Sequence, residues 1–395
     1  MLDTPSDLHI MCQVNDCPIY QDHQERTSQQ KPDVAILPFK CTFAALPEEK
    51  HDGDNRLINT ATKQETRLVW KDMLACIEFK RPTKKLSKSP LSYEVAPYKS
   101  TNPEYRCVEH TVPDAPASAA APAPDSESTH RSARLAAGSQ NVCNNPDGKR
   151  KATETLQFAG KRAKTDDDTE PKLDLTVQTG LYATEMFAAN VAVKYLVNLV
   201  VVDDVVWVWQ CDRQGSIIEC SGINFIEDLP RFMPALLYAS QRFSLVDWGR
   251  NAGFKHDEKN HSHKLIIDDV DLEVHKDRMT HYGLKEYATN VFPVTSEKLA
   301  KDNQEIAKDD MVAKVFWAEE QRTSEPDILK KVYEIAEEQD AVKGHVPHLL
   351  WHHKFQEPMS KIREALGISE PAEGSRVLYI LVFRKLKPIT ELKGT

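Results

Sequence analysis

Lys314 closes a short β-prone run, Val312-Ala313-Lys314, and a helix begins about ten residues later with Glu325 near its start. A strand lysine faced by a helix carboxylate is held extended and ionised, which suits it to phosphate oxygens. At roughly 100° per residue, Glu325 falls within the apolar face set by Leu329 and Val332, whereas Glu334 points the other way. Glu325 is therefore the expected partner. The same residues also admit a plainer assignment, in which Lys314 flanks a buried strand and Glu325 complements the helix dipole.

A second constellation runs Lys31-Pro32-Asp33, then Ile77-Glu78-Phe79-Lys80, then a helix bearing Gln178 and Tyr182. Side chains alternate along a strand, so Glu78 and Lys80 project from one face, and Asp33 on a neighbouring strand completes a carboxylate pair. Asp33 and Glu78 would hold Mg²⁺, which orients water and stabilises phosphodiester charge, while Lys80 offsets charge developing on the phosphate. Asp33, Glu78, Lys80 and Gln178 are the candidate catalytic set. E-x-K is also common on strands, and an acid after proline is frequent in turns. The histidines at 256, 261 and 263, and those at 348, 352 and 353, read as polar segments, because nothing in their spacing fixes a metal geometry. The eight cysteines lack paired short spacings and are expected as reduced thiols.

The elements that position these residues follow from composition and pattern. Residues 1 to 30 show little periodicity and are expected as a flexible arm. Val34–Phe39 and Met73–Phe79 read as strands. From about Pro113 to Glu170 the chain turns to Ala, Pro, Ser and Asp with few large apolar residues, so a disordered insert is expected over about 90–172. A helix is expected from Gln178 to Asn198, followed by a hairpin formed by the β-rich segments on either side of Gly215. The apolar run Phe187 to Trp209 is broken by Asn190, Lys194, Asn198, Asp203 and Asp204, which argues against a bilayer span. Further on, Met311 opens a strand, Ser324 caps the helix with Pro326 in its first turn, and Val377–Phe383 is a continuous apolar strand. Asp247-Trp248-Gly249 reads as a turn.

Several motifs add a resemblance. R-T-S-E at Arg322–Glu325, G-H-V-P at Gly344–Pro347 and R-x-L-K-P-I-T-E-L-K-G at Arg384–Gly394 resemble the fungal-type protein kinase family. W-K-D-M-L-A-C-I-E-F-K and Q-T-G-L-Y are similar to its N-terminal region. The resemblance implies a kinase-like small lobe, ATP and Mg as ligands, and Lys314 with Glu325 on the ATP phosphates. Gly283–Val294 stands at the family's glycine-rich loop and keeps only Gly283, so close backbone approach to phosphate is not provided there. No H-R-D or D-F-G follows Lys314, and the chain is expected to stop near the hinge between lobes, without kinase activity of its own. The order Asp33, Glu78, Lys80, Gln178 is similar to PD-(D/E)xK nucleases.

The expected architecture is α+β: a restriction-endonuclease-like domain over 31–250 interrupted by the insert, then an incomplete protein-kinase-like lobe over 251–395. The net charge of -9 gives no global nucleic-acid signal. Lys149-Arg150 and Lys161-Arg162-Ala163-Lys164 resemble a bipartite nuclear localisation signal, so a nuclear import receptor is an expected partner and the nucleus, otherwise the cytoplasm, the expected compartment. No apolar leader or membrane association is expected. The basic stretch Lys80–Lys88 could touch nucleic-acid phosphate but lacks interleaved aromatics, and reads as a solvated loop. A nuclear interaction or regulatory protein with a further protein partner is the remaining reading.

Overall fold

The computed structural model describes residues 9–23, 27–44, 68–83, 85–94, 174–215, 217–219, 222–257, 262–274, 283, 288–303, 306, 310–339 and 345–386. All of them fall within the compact unit formed by Met1–Tyr105 with Leu173–Thr395. The basic clusters at 149–150 and 161–164 and nearly all of the expected disordered insert lie outside the described residues.

The N-terminal segment differs from the expected flexible arm. It holds β1 (Ile10–Val14), β2 (Ile19–Asp22) and β3 (Thr27–Gln30). β2 and β3 form a hairpin of their own, and β1 lies antiparallel to β4 (Val34–Pro38), with Ile10 opposite Pro38 and Val14 opposite Val34. β1 is a strand because a partner completes its backbone hydrogen bonds, a context its own weak pattern does not announce.

After the short helix α1 (Phe39–Ala44), β5 (Ala75–Lys80) pairs antiparallel with β4 and parallel with β6 (Tyr195–Val202). Parallel neighbours need a crossover, and helix α2 (Leu175–Ala189) lies on it. α2 starts at Asp174, whose carboxylate accepts from the Thr176 amide. It buries Tyr182, Met186 and Phe187 against Trp70, Met73 and Leu196. Ala183, Ala188 and Gly180 let it sit close.

The helix ends at Ala189 rather than at Asn198. Beyond it the chain is rich in valine, and β6 gains a ladder on each side, from β5 and from β7 (Val205–Asp212). Branched side chains and two partners favour extended backbone here. β8 (Ile217–Glu219) and β9 (Ile223–Asn224) both pair with β7, giving the sheet order β1-β4-β5-β6-β7-β8 with β9 to one side.

Past the short helix α3 (Leu229–Phe232), a second sheet is antiparallel throughout. Its strands are β10 (Phe254–Asp257), β11 (Ser262–Ile267), β12 (Val270–Val274), β13 (Asn290–Thr295), β14 (Met311–Glu319), β15 (Leu349–Lys354) and β16 (Arg376–Arg384). Their order is β10-β11-β12-β13-β14-β16-β15. Helix α4 (Glu297–Asp302), capped by Ser296, precedes β14; α5 (Glu325–Glu338) and α6 (Met359–Ala365) flank β15.

One face of this sheet buries Phe292, Val315, Trp317, Ile380 and Met359 together with Ala192 from just beyond α2. The other packs Phe316, Tyr379 and Leu381 against Leu329 of α5. No helix among the described residues is long and apolar enough to cross a membrane. The Phe187–Trp209 run is the end of α2 followed by β6 and β7.

Candidate functional site

Lys314 lies on β14, between Val291 of β13 and Leu381 of β16. Its Nζ is 2.8 Å from Oε1 and 2.6 Å from Oε2 of Glu325, and 4.8 Å from the centre of the Phe316 ring. Both side chains are about a third exposed, so the pair faces solvent on one side. Three local features fix Glu325. The Ser324 hydroxyl accepts from the Asp327 amide, Pro326 occupies the first turn, and the apolar face of α5 sets the rotation.

Past the middle of α5, the Tyr333 hydroxyl donates to the Pro347 carbonyl at 2.6 Å and accepts from the Leu349 amide at 2.9 Å, tying the helix to β15. The helix face is only partly covered. Ile328 is 48% and Ile335 55% exposed, while Leu329 packs against Phe316, Tyr379 and Leu381. Of the segment matched to the glycine-rich loop, Leu284–Tyr287 lies outside the described residues, and Asn290–Val294 is strand β13.

The second constellation converges where β5 meets α2. Glu78, 4% exposed, accepts from Lys80 Nζ and from Gln178 Nε2 on Oε1, each at 2.8 Å. The Tyr182 hydroxyl lies 3.0 Å from Glu78 Oε2 and 3.0 Å from the Lys31 carbonyl, and accepts from Gln178 Nε2 at 2.5 Å. Gln178 Oε1 accepts from Lys80 Nζ at 2.9 Å, closing the network. Burial, together with the Glu78 charge, pushes the Tyr182 phenol well above its usual range, so it stays a donor.

Extending the β4–β5 register by one residue sets Asp33 opposite Glu78. Its carboxylate, however, accepts from the Phe79 amide at 2.8 Å. Asp33 therefore completes the end of the ladder as well as flanking the cluster. Among the described residues there is no group of three or more His, Cys, Asp or Glu arranged to hold a metal.

Sequence reasoning missed a buried pair between the same helix and the N-terminal segment. Glu185, seven residues on from Gln178, has Oε2 3.1 Å from His23 Nε2. The signal was hidden because His23 lies in the segment read as unstructured. Asp247-Trp248-Gly249 is a turn: the Asp247 carboxylate accepts from the Ser244 amide at 2.8 Å and hydroxyl at 2.6 Å, and Gly249 has φ +79°.

A lysine on the third strand of β12-β13-β14-β16-β15, paired with a glutamate on the helix that follows it, resembles the small-lobe arrangement of a protein kinase. The chain belongs to the fungal protein kinase family, whose family model, described as fungal protein kinase, matches residues 141–378, more than half of the sequence. Lys314, Glu325 and Gln178 fall within the match; Asp33, Glu78 and Lys80 precede it. Comparison with curated proteins and with solved structures gives no match.

Proposed function

We propose that the lobe built on β12–β16 binds an adenine nucleotide, with Lys314 on its phosphates and Glu325 holding the lysine extended. The preformed ion pair at 2.6 Å carries this reading. Its partial exposure suits the role, since the ammonium can turn towards an incoming phosphate without leaving the carboxylate. Within the 395 residues no H-R-D or D-F-G follows Lys314. These residues therefore supply the anchor for ATP, and supply by themselves neither the base for a substrate hydroxyl nor the Asp that holds Mg²⁺ in a kinase.

Titration with a fluorescent ATP analogue tests the proposal. Saturable binding that Lys314→Ala abolishes supports it, and binding unchanged in that variant removes it. Phosphoryl transfer by this chain alone, lost in Lys314→Ala, would overturn the second half.

The polar network at Glu78 favours a second reading, a nuclease-like site in which Asp33 and Glu78 would hold Mg²⁺. The network places Lys80 and Gln178 on the same carboxylate and the register places Asp33 across from it. Metal entry requires Lys80 to release Glu78, since all the hydrogen bonds of that carboxylate are internal. Magnesium-dependent nicking of plasmid DNA, lost in Glu78→Ala and in Lys80→Ala, is the expected result; equal nicking by those variants rejects it. The basic clusters at Lys149–Arg150 and Lys161–Lys164 would carry the chain to the nucleus through an import receptor. Loss of nuclear accumulation on alanine substitution of Lys161, Arg162 and Lys164 tests that address.

A further inference from the structure

Beyond Lys80 the chain runs Arg-Pro-Thr-Lys-Lys-Leu-Ser-Lys, so Lys80, Arg81, Lys84, Lys85 and Lys88 fall within nine residues that contain no acid. The loop is pinned through its backbone and hydroxyls. The Asp203 carboxylate accepts from the Thr83 hydroxyl at 2.8 Å, and the Asp203 amide donates to the Lys80 carbonyl. The Asp204 carboxylate accepts from the Ser87 amide at 2.8 Å and from Asn224 Nδ2 at 3.1 Å. The Ser87 side chain first, then the Ser87 amide and Asn224, hold its carboxyl below the usual range, so it remains an ionised acceptor. Tyr93 closes the segment by donating to the Ile226 carbonyl at 2.7 Å.

The two aspartates are thus engaged with the path of the loop and not with Arg81, Lys85 or Lys88. Arg81, Lys85 and Lys88 are exposed and enter none of the ion pairs found among the described residues. Much of the entropy cost of ordering such a segment is already met in the free protein.

From this we infer that the stretch from Arg81 to Lys88 offers, through the exposed Arg81, Lys85 and Lys88, a binding surface for the phosphate backbone of a nucleic acid. An extended segment of this length reaches up to roughly 26 Å, enough to follow several phosphates of a linear polyanion rather than one. The nearby exposed apolar residues are Phe79 at the end of β5 and Leu86 and Leu91, which stand singly on the loop. They lack the helical apolar face that a membrane-surface segment would present. The binding is of backbone charge and carries no base specificity.

The test uses the full chain and a fluorescein-labelled DNA duplex of about 20 base pairs, followed by anisotropy from about 50 to about 200 mM KCl. The variant Arg81→Ala/Lys85→Ala/Lys88→Ala removes exposed side chains only, and an unchanged circular dichroism melt verifies its fold. The expected result is binding at least tenfold weaker at the lower salt, with the log–log salt slope reduced by up to about 3. The charge control Lys330→Ala/Lys331→Ala on α5 should leave both unchanged. An unaltered affinity and slope in the triple variant would assign any binding to the basic clusters at 149–164 and overturn the inference. So would a wild-type chain that prefers phosphatidylserine vesicles or polyglutamate to the duplex.

Discussion

Arg363 and Asp212 meet through two hydrogen bonds, 2.8 Å and 3.1 Å, with side chains 11% and 1% exposed. Nothing in the sequence joins them, because they stand 151 positions apart and each has a commonplace neighbourhood. Removing the arginine alone strands a buried carboxylate, so Arg363→Ala is expected to lose about 3–5 kcal/mol in urea denaturation. Asp212→Ala/Arg363→Ala should lose less than the sum of the single changes. Lys314 and Glu325 are the opposite case. Their contact was legible because each half is local: a lysine on an apolar strand, and a glutamate one residue inside a capped helix. The use of Asp33 on the Phe79 amide was not legible, since it depends on how β4 and β5 align across residues 45–67, which carry no pattern that sets the register.

At the scale of elements, caps and turns decide where helices and strands stop. Ser324→Ala removes the oxygen that accepts from the Asp327 amide, and about 1 kcal/mol is expected to be lost. Because the same cap fixes the start of α5, nucleotide-analogue affinity should weaken along with the thermal midpoint; a midpoint shift without an affinity change would show that Glu325 is placed by packing alone. The turn at Gly249 sets a sharper demand. A Cβ there would overlap the Tyr195 carbonyl oxygen, and φ is +79°, whereas at Gly374, with φ +64°, the nearest atom is 3.6 Å from such a Cβ and belongs to a side chain. Gly374→Ala should lose about 1 kcal/mol from backbone conformation, and Gly249→Ala distinctly more, as read from denaturant midpoints. The Asp-Trp-Gly turn could be read from its residues, but the close approach to β6 that makes its glycine necessary is a tertiary fact. The end of α2 is a further instance: apolar periodicity continued past Asn190, and only the two ladders of β6 convert that stretch to strand.

The two sheets were expected as separate domains, and at the scale of the molecule both lie within one compact unit, each with its own core. Ala192, at φ +60°, is buried in the core of the second sheet although it directly follows the helix of the first. Lys194 reaches Glu357, Gln214 Nε2 donates to the Glu373 carbonyl at 2.6 Å, and Asp212 holds Arg363. The chain leaving helix α2, which presents Gln178 and Tyr182 to Glu78, therefore enters the core of the sheet that carries Lys314. Opening the second sheet would expose Ala192 and strand Asp212, so the two should unfold together. Native-state hydrogen exchange is the direct measurement: amides of β6 and of β14 are expected to report the same opening free energy and the same denaturant dependence. Clearly weaker protection on β14 would mean that the kinase-like sheet opens by itself. Thiol chemistry gives an independent reading. Burial raises the Cys76 thiol and pushes Cys211 up to about 12, and each lies in the core of the first sheet, whereas Cys17 is exposed. At pH 8, iodoacetamide should label Cys17 in the native protein and leave Cys76 and Cys211 untouched, because the thiolate is the reacting form. If the sheets are one cooperative unit, a destabilising change as remote as Arg363→Ala should speed the labelling of Cys76, and an unchanged rate would separate them.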